Sequence, residues 1–399
     1  MIYVVSVVLY LLQIFTPLRL TSDGLAYLSL ADSANTHGLI ATLKQSTFPF
    51  PKGYPAFVFL LMKGGIFSSA TLVATNLFFF AVGLTFSFRT LITLGFQKPH
   101  AAVACLLTLL SFAAVKHVTQ GMSDFLFFAL AAIACWAMTL SSPYKWLIVL
   151  PFVACAIEVR FIGLVLMAPL AATVWPSVRK RPLVLAIASS TAVVLVVAGA
   201  WAGRPYLVKN IIILRNVGLG RFLGKNVVAH CLDFGELITN VPFAKLPGWF
   251  YVFMLTIGGI AMLLFFAGIA TLMKRSMWTS FYMLGFSGLI LPWPYTDPRF
   301  WLPALPFVLL TIHAGATTVF KHVPKSLVRT YCTVFCALGI AALGYSTWIT
   351  FSGAQFPYRY GDGLLRATYL AHCSPTPIGV DQRALHLLRR YEWRCEDVH

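Results

Sequence analysis

Charge is the scarcest feature of this sequence: of 399 residues only 11% are Asp, Glu, Lys or Arg, against roughly a quarter in an ordinary soluble domain. So few charges cannot cover the surface of a water-soluble globule. Acidic residues are rarer still, 12 against 30 basic ones, which leaves a formal net charge of +18. The Lys and Arg residues sit in short connections and one long polar segment, and they form no continuous basic stripe with interleaved aromatics. That pattern excludes nucleic acid as the expected partner and fits charges that orient helices and meet anionic lipid.

Other absences narrow the reading further. The eight cysteines show no metal-ligand spacing, so no metal site and no required cofactor is read from them, and divalent-metal dependence stays open. Cys105, Cys135, Cys155, Cys332 and Cys336 lie inside apolar runs, where Cys is a small hydrophobe. Cys373 and Cys395, in the polar tail, are a candidate disulfide if that tail meets an oxidising compartment. Met1 to Phe15 has no basic leader and no small-residue cleavage site, and reads as a retained first helix. No internal repeat is visible, which disfavours many transporter folds.

What the sequence has in abundance is apolar length, with 59% hydrophobic residues. Runs of about 17 to 25 residues, enough to cross a hydrocarbon core, predict spans at 1–18, 69–88, 100–115, 123–140, 145–157, 160–175, 183–203, 249–273, 278–294, 300–320 and 330–350. The expected fold is an all-α polytopic membrane bundle of about eleven transmembrane helices over residues 1–350, with juxtamembrane helices outside and a short tail over 351–399. With the N-terminus cytoplasmic, alternate connections carry Arg89 and Lys98, Lys145, Arg179 to Arg181, Lys274 and Arg275, then Lys321, Lys325 and Arg329, as the positive-inside rule requires. The loops 19–68 and 204–248, the turn from Trp293 to Arg299 and the tail then lie outside. Pro55 to Phe67, apolar but too short to count without inverting every later loop, reads as a half-buried or re-entrant helix.

The charges expected outside are few, and each has a specific place in the chain. Thr21 to Asp32 has helical spacing and begins with Ser22 or Asp23 as a cap, so Asp23 is either only a cap or a carboxylate presented at the membrane surface. Lys52, in Phe48-Pro49-Phe50-Pro51-Lys52-Gly53-Tyr54-Pro55, is either a snorkelling anchor or a phosphate-binding point charge. Glu158 and Arg160 would each cost about 2.5 to 3.5 kcal/mol at a bilayer centre, which predicts a chain break there and leaves Arg160 free for another partner. Asp124 opens a span where a helix N-terminus welcomes a carboxylate, and Arg299 stands just above another span, where a phosphate would suit it. All of them fall on one side of the membrane.

In order along about 290 residues stand Ser22-Asp23-Gly24-Leu25-Ala26-Tyr27-Leu28-Ser29-Leu30-Ala31, Pro51-Lys52-Gly53-Tyr54-Pro55, Ser123-Asp124-Phe125-Leu126-Phe127, Glu158-Val159-Arg160-Phe161-Ile162-Gly163, and Pro298-Arg299-Phe300-Trp301-Leu302-Pro303. This ordered set resembles the C-type (GT-C) superfamily of integral membrane glycosyltransferases, in the branch of the protein O-mannosyltransferases and the lipid A aminoarabinose transferase. The resemblance implies transfer of a sugar from a polyprenyl phosphate donor to an acceptor glycan, lipid or protein, by an inverting single displacement on the extracytoplasmic side of a bacterial-type inner membrane. It implies Asp23 as general base, Lys52, Arg160 and Arg299 as cations for the lipid phosphate, and Tyr27 and Tyr54 as further site candidates. Many relatives carry two adjacent acidic residues where this chain has Asp23-Gly24, so Asp32 and Asp124 are the candidates for a second carboxylate. A flippase or transporter of lipid-linked sugar is the alternative. The tail residues Asp381, Arg383, His386 and Arg389 receive no catalytic role.

Overall fold

The computed structural model describes residues 2–15, 21–40, 42, 51–178, 208, 212, 215, 218–242, 247–293, 295–321 and 323–352. The expected span 183–203, the cysteines Cys373 and Cys395 and the tail residues from 353 onward lie outside them. The described residues are all-α. In chain order they form α1 (Ile2–Leu12), α2 (Ser22–His37), α3 (Gly53–Lys63), α4 (Ser69–Thr93), α5 (Lys98–Leu109), α6 (Phe112–His117), α7 (Asp124–Thr139), α8 (Trp146–Val159), α9 (Met167–Val178), α10 (Leu219–Thr239), α11 (Phe250–Met273), α12 (Met277–Ile290), α13 (Leu305–Val319) and α14 (Lys325–Ser352). Short 3-10 turns at Phe161–Leu166 and Pro298–Ala304 lead into α9 and α13.

Four helical stretches are long and apolar enough to cross a membrane, namely Ser69–Thr93, Phe250–Met273, Pro298–Val319 and Lys325–Ile349. Five shorter apolar helices accompany them, among them Gly53–Lys63 in the place of the expected half-buried segment. Large apolar side chains point outward, including Val4, Leu11, Leu263, Leu327 and Trp348, while Asn76, Asp124, His117 and His230 are buried. A surface this apolar around a partly polar interior is that of a membrane protein.

The helix contacts sort the connections into two ends. On α4 and α7, Phe80 meets Phe125 and Phe86 meets Trp136, so these helices run parallel. Phe265 on α11 meets Trp301 in the 3-10 turn that leads into α13, and the hydroxyls of Thr271 on α11 and Thr318 on α13 are hydrogen-bonded, so these two also run parallel. His100 at the start of α5 lies against His313 near the end of α13, and the Trp278 indole N–H donates to the Thr173 hydroxyl. The helix ends and turns that carry Arg89 and Lys98, Lys145, Lys274 and Arg275, and Lys321 and Lys325 therefore gather at one end. The segments holding Asp23, Asp124, Arg160 and Arg299 gather at the other.

Two expected spans are modified. The run 100–115 is broken after Leu109, because the Asn240 side chain enters the chain there: its amide donates to the carbonyls of Leu110 (3.0 Å) and Phe335 (3.1 Å), and its oxygen accepts from the Phe112 N–H (2.5 Å). The Ser111 hydroxyl then caps α6. The run 160–175 opens with Arg160 in extended conformation and the 3-10 turn before α9 begins, so the chain break expected between Glu158 and the next helix is present. The loop 204–248 holds the 21-residue α10, which its sequence pattern had not singled out.

Candidate functional site

The site is assembled from turns, and Asp23 is released from local capping because another residue performs it. α2 is capped by Thr21, whose hydroxyl accepts the Gly24 N–H at 3.0 Å. This corrects the expected Ser22 or Asp23 cap. A Cβ on Gly24 would stand 3.0 Å from the Gly121 carbonyl oxygen, so the absence of a side chain lets the first turn of α2 lie directly on the segment before α7. Asp23 then reaches across 276 positions of sequence to Arg299: one guanidinium nitrogen donates to its carboxylate at 3.0 Å. The pair is unequal in exposure, 32% for the Asp23 side chain and 14% for Arg299.

Arg299 is held from below by Asp297, whose carboxylate caps the 3-10 turn by accepting the Arg299 backbone N–H at 2.9 Å and lies 3.6 Å from its Nε. Asp124, fully buried at the start of α7, forms an ion pair with Arg160. The Phe300 ring stands between the two cations, 5.6 Å from the Arg160 guanidinium and 5.2 Å from that of Arg299. Two arginines and three carboxylates thus occupy one patch, in which Asp23 and Asp297 are partly open and Asp124 is buried.

Aromatic residues line its other side. Tyr27, one turn after Asp23, meets Tyr54 edge to face at 5.3 Å. Burial raises the Tyr27 pKa, with Arg160 opposing that shift and Asp23 adding to it, so the phenol stays a neutral hydrogen-bonding group. The Tyr54 hydroxyl is buried with no hydrogen-bond partner among the described residues. Lys52 immediately precedes α3, and its neighbour Gly53 is pressed against the end of α8: a Cβ there would come 2.7 Å from the Glu158 carbonyl oxygen. Lys52 is thereby placed beside the Arg160 segment. Asp32 is placed differently. It lies nine residues along α2 from Asp23, about 13 Å further and on the opposite side of the helix, so Asp124 and Asp297 are the carboxylates that join Asp23 around Arg299.

Several members of this patch had not been singled out from the sequence. Asp297 is one, and His117 is another: its Nε2 lies 3.7 Å from Asp297 and its Nδ1 is 2.7 Å from the Gln120 side-chain oxygen. His230, on α10, pairs with Asp233 at 3.1 Å and sets its ring edge to face with Trp301. No group of three or more metal-ligating side chains occurs among the described residues. The signal available for α10 was its repeat of Asn226, His230 and Asp233 at helical spacing on the face that carries Phe234.

Burial pushes the His117 pKa down to about 4; Asp297 pulls the other way, while Lys116 and Arg299 add to the lowering. Burial alone would raise Asp297, but His117, Arg299 and Lys116 together hold its carboxyl below the usual range. His117 is thus neutral and Asp297 ionised at neutral pH, and Arg299 is the lasting positive partner of Asp297. The unfolded chain protonates His117 near its ordinary value of 6.5, whereas the folded chain does so only near 4, so stability falls as pH drops through that window. The lowered Asp297 acts in the same sense. We expect the thermal midpoint in detergent to fall between pH 6.5 and about 4.5 and to fall less in His117→Gln, the difference being at most roughly 3 kcal/mol. Equal falls in the two proteins would contradict a buried neutral His117.

Comparison with protein-family models, with curated proteins and with solved structures finds no match for this chain. The functional reading therefore rests on the residues themselves.

Proposed function

We propose that this protein is a membrane glycosyltransferase that moves a sugar from a polyprenyl-phosphate-linked donor to an acceptor at the extracytoplasmic face. The observation that carries the reading is the half-open carboxylate of Asp23 beside Arg299, with Arg160 across the Phe300 ring. Asp23 takes the proton from an acceptor hydroxyl as that oxygen attacks the anomeric carbon. The bond from that carbon to the phosphate oxygen breaks with its electron pair going to the phosphate, and the configuration inverts. The donor diester carries a single negative charge and the departing monoester carries more. Cations facing that group consequently stabilise the transition state more than the bound donor. Arg299 and Arg160 supply this charge, and Lys52 is the third candidate.

In this reading the chain crosses the membrane about eleven times with its N-terminus cytoplasmic. The gathering of the basic turns at the end opposite Asp23 and Arg299 supports that topology. Placement of the charged groups at one end rather than midway along the bundle favours transfer over transport. The test is transfer of radiolabelled sugar from a panel of polyprenyl phosphate donors to cell-envelope acceptors by the purified protein, run beside a liposome assay for movement of the same lipid-linked sugars across the bilayer. Labelled acceptor is the expected product. Movement without transfer would replace this reading by that of a flippase.

A further inference from the structure

Helix α10 makes a series of contacts with the Arg299 turn that the reaction as described does not use. The buried Asn226 side chain donates both amide hydrogens to that turn, to the carbonyls of Trp293 at 2.7 Å and Leu291 at 3.2 Å. One helical turn on, His230 meets Trp301, and one turn further Phe234 packs on the same ring at 4.8 Å. These three residues recur every four positions, so a single face of α10 meets the chain at Leu291 and Trp293 before Arg299 and at Trp301 after it. The far end of α10 is fixed by Asn240, which bonds the carbonyls of Leu110 and Phe335. Trp293 also stacks on Phe161, the residue after Arg160, with the rings inclined by 22°. The backbone that Asn226 holds therefore links the two arginine-bearing segments.

We propose that Asn226 is a positioning residue, which by its double grip on the Leu291 and Trp293 carbonyls sets where the Arg299 guanidinium stands relative to Arg160 and to the phosphate of the donor. Two donors fixed on one planar amide hold two carbonyls beyond the end of α12 at once. Without them the turn keeps its own capping and the Arg299–Asp23 pair but loses its hydrogen-bonded anchor to α10, which allows it to shift. The part concerning the phosphate rests on the transferase reading; the part concerning the turn does not.

The experiment compares wild type with Asn226→Ala and with Asn226→Asp, which keeps the size and loses the N–H donors. Hydrogen exchange of the peptide covering 291–304 is expected to quicken by about tenfold in both variants, with α4 and α7 unchanged. Titration with polyprenyl phosphate, followed by intrinsic tryptophan fluorescence, is expected to show about tenfold weaker binding in Asn226→Ala, and no further weakening when the same change is made in Arg299→Gln. Unchanged exchange over 291–304 would overturn the proposal, as would an equal loss of binding in both backgrounds, which is the mark of a general structural defect. If wild type does not bind polyprenyl phosphate, the transferase reading falls, and the exchange result alone decides whether Asn226 holds the turn.

Discussion

Asp23→Asn is expected to lower sugar transfer by about 10² to 10⁴-fold, the usual contribution of a positioned general base, while leaving the protein folded. The substitution keeps the size of the side chain and an oxygen able to accept from the Arg299 guanidinium at the 3.0 Å position. It removes only the capacity to take a proton. Thr21, not Asp23, caps α2, so the helix loses nothing by the change, and the Arg299 guanidinium, only 14% exposed, keeps Asp297 as its charged partner. Turnover measured with saturating donor, together with the thermal midpoint, separates the two effects. A mutant that is folded and as active as wild type would remove Asp23 from the chemistry, and a mutant that unfolds would mark its pair with Arg299 as structural.

The largest expected effect on stability falls on Asp124. Its carboxylate has no exposure and is paired with Arg160, and its second oxygen is buried without a hydrogen-bond partner among the described residues. Breaking a buried ion pair by removing one partner leaves the other charge uncompensated and costs about 3 to 5 kcal/mol. Asp124→Ala should therefore show a strongly lowered unfolding midpoint. Replacing both residues, as in Asp124→Leu with Arg160→Met, should recover most of that loss, because two apolar groups of similar size need no desolvation to be repaid. The double variant should stay inactive if Arg160 serves the phosphate. If Asp124→Ala is as stable as wild type, the pair contributes little and Arg160 is not held where it stands by Asp124.

How much of this was legible in the sequence depended on whether a residue's role was set by its neighbours in the chain. The apolar runs marked the helices because bilayer thickness fixes their length. The cost of charge in an apolar stretch located the break at Arg160, and the apolar run from Pro55 marked α3, which begins two residues earlier, at Gly53. The capping of α2 was misplaced by one or two residues, since Thr21, Ser22 and Asp23 are all good caps and only the packing of Gly24 on Gly121 decides among them. Asp32 was weighed as a second carboxylate from its nearness in sequence, but the helical twist turns it away. Asp297 and His117 gave no local signal of their own, and the helical repeat that holds Asn226 marks a helix face but not what that face grips. Each acts on a segment far away in the chain, as when Asn226 grips carbonyls 65 and 67 positions on, and such pairings are set by how helices pack.

The measurement that tests the central claim most directly is binding of polyprenyl phosphate to the purified protein, comparing wild type with the double variant Arg160→Gln and Arg299→Gln. The two cations flank one ring, Arg160 paired with Asp124 and Arg299 with Asp23, so they should act on the same phosphate. Saturable binding by wild type, weakened about 100-fold or more in the double variant through loss of two charge-assisted contacts, is the predicted result. Binding of equal strength in both proteins would contradict the assignment of this patch as the donor site.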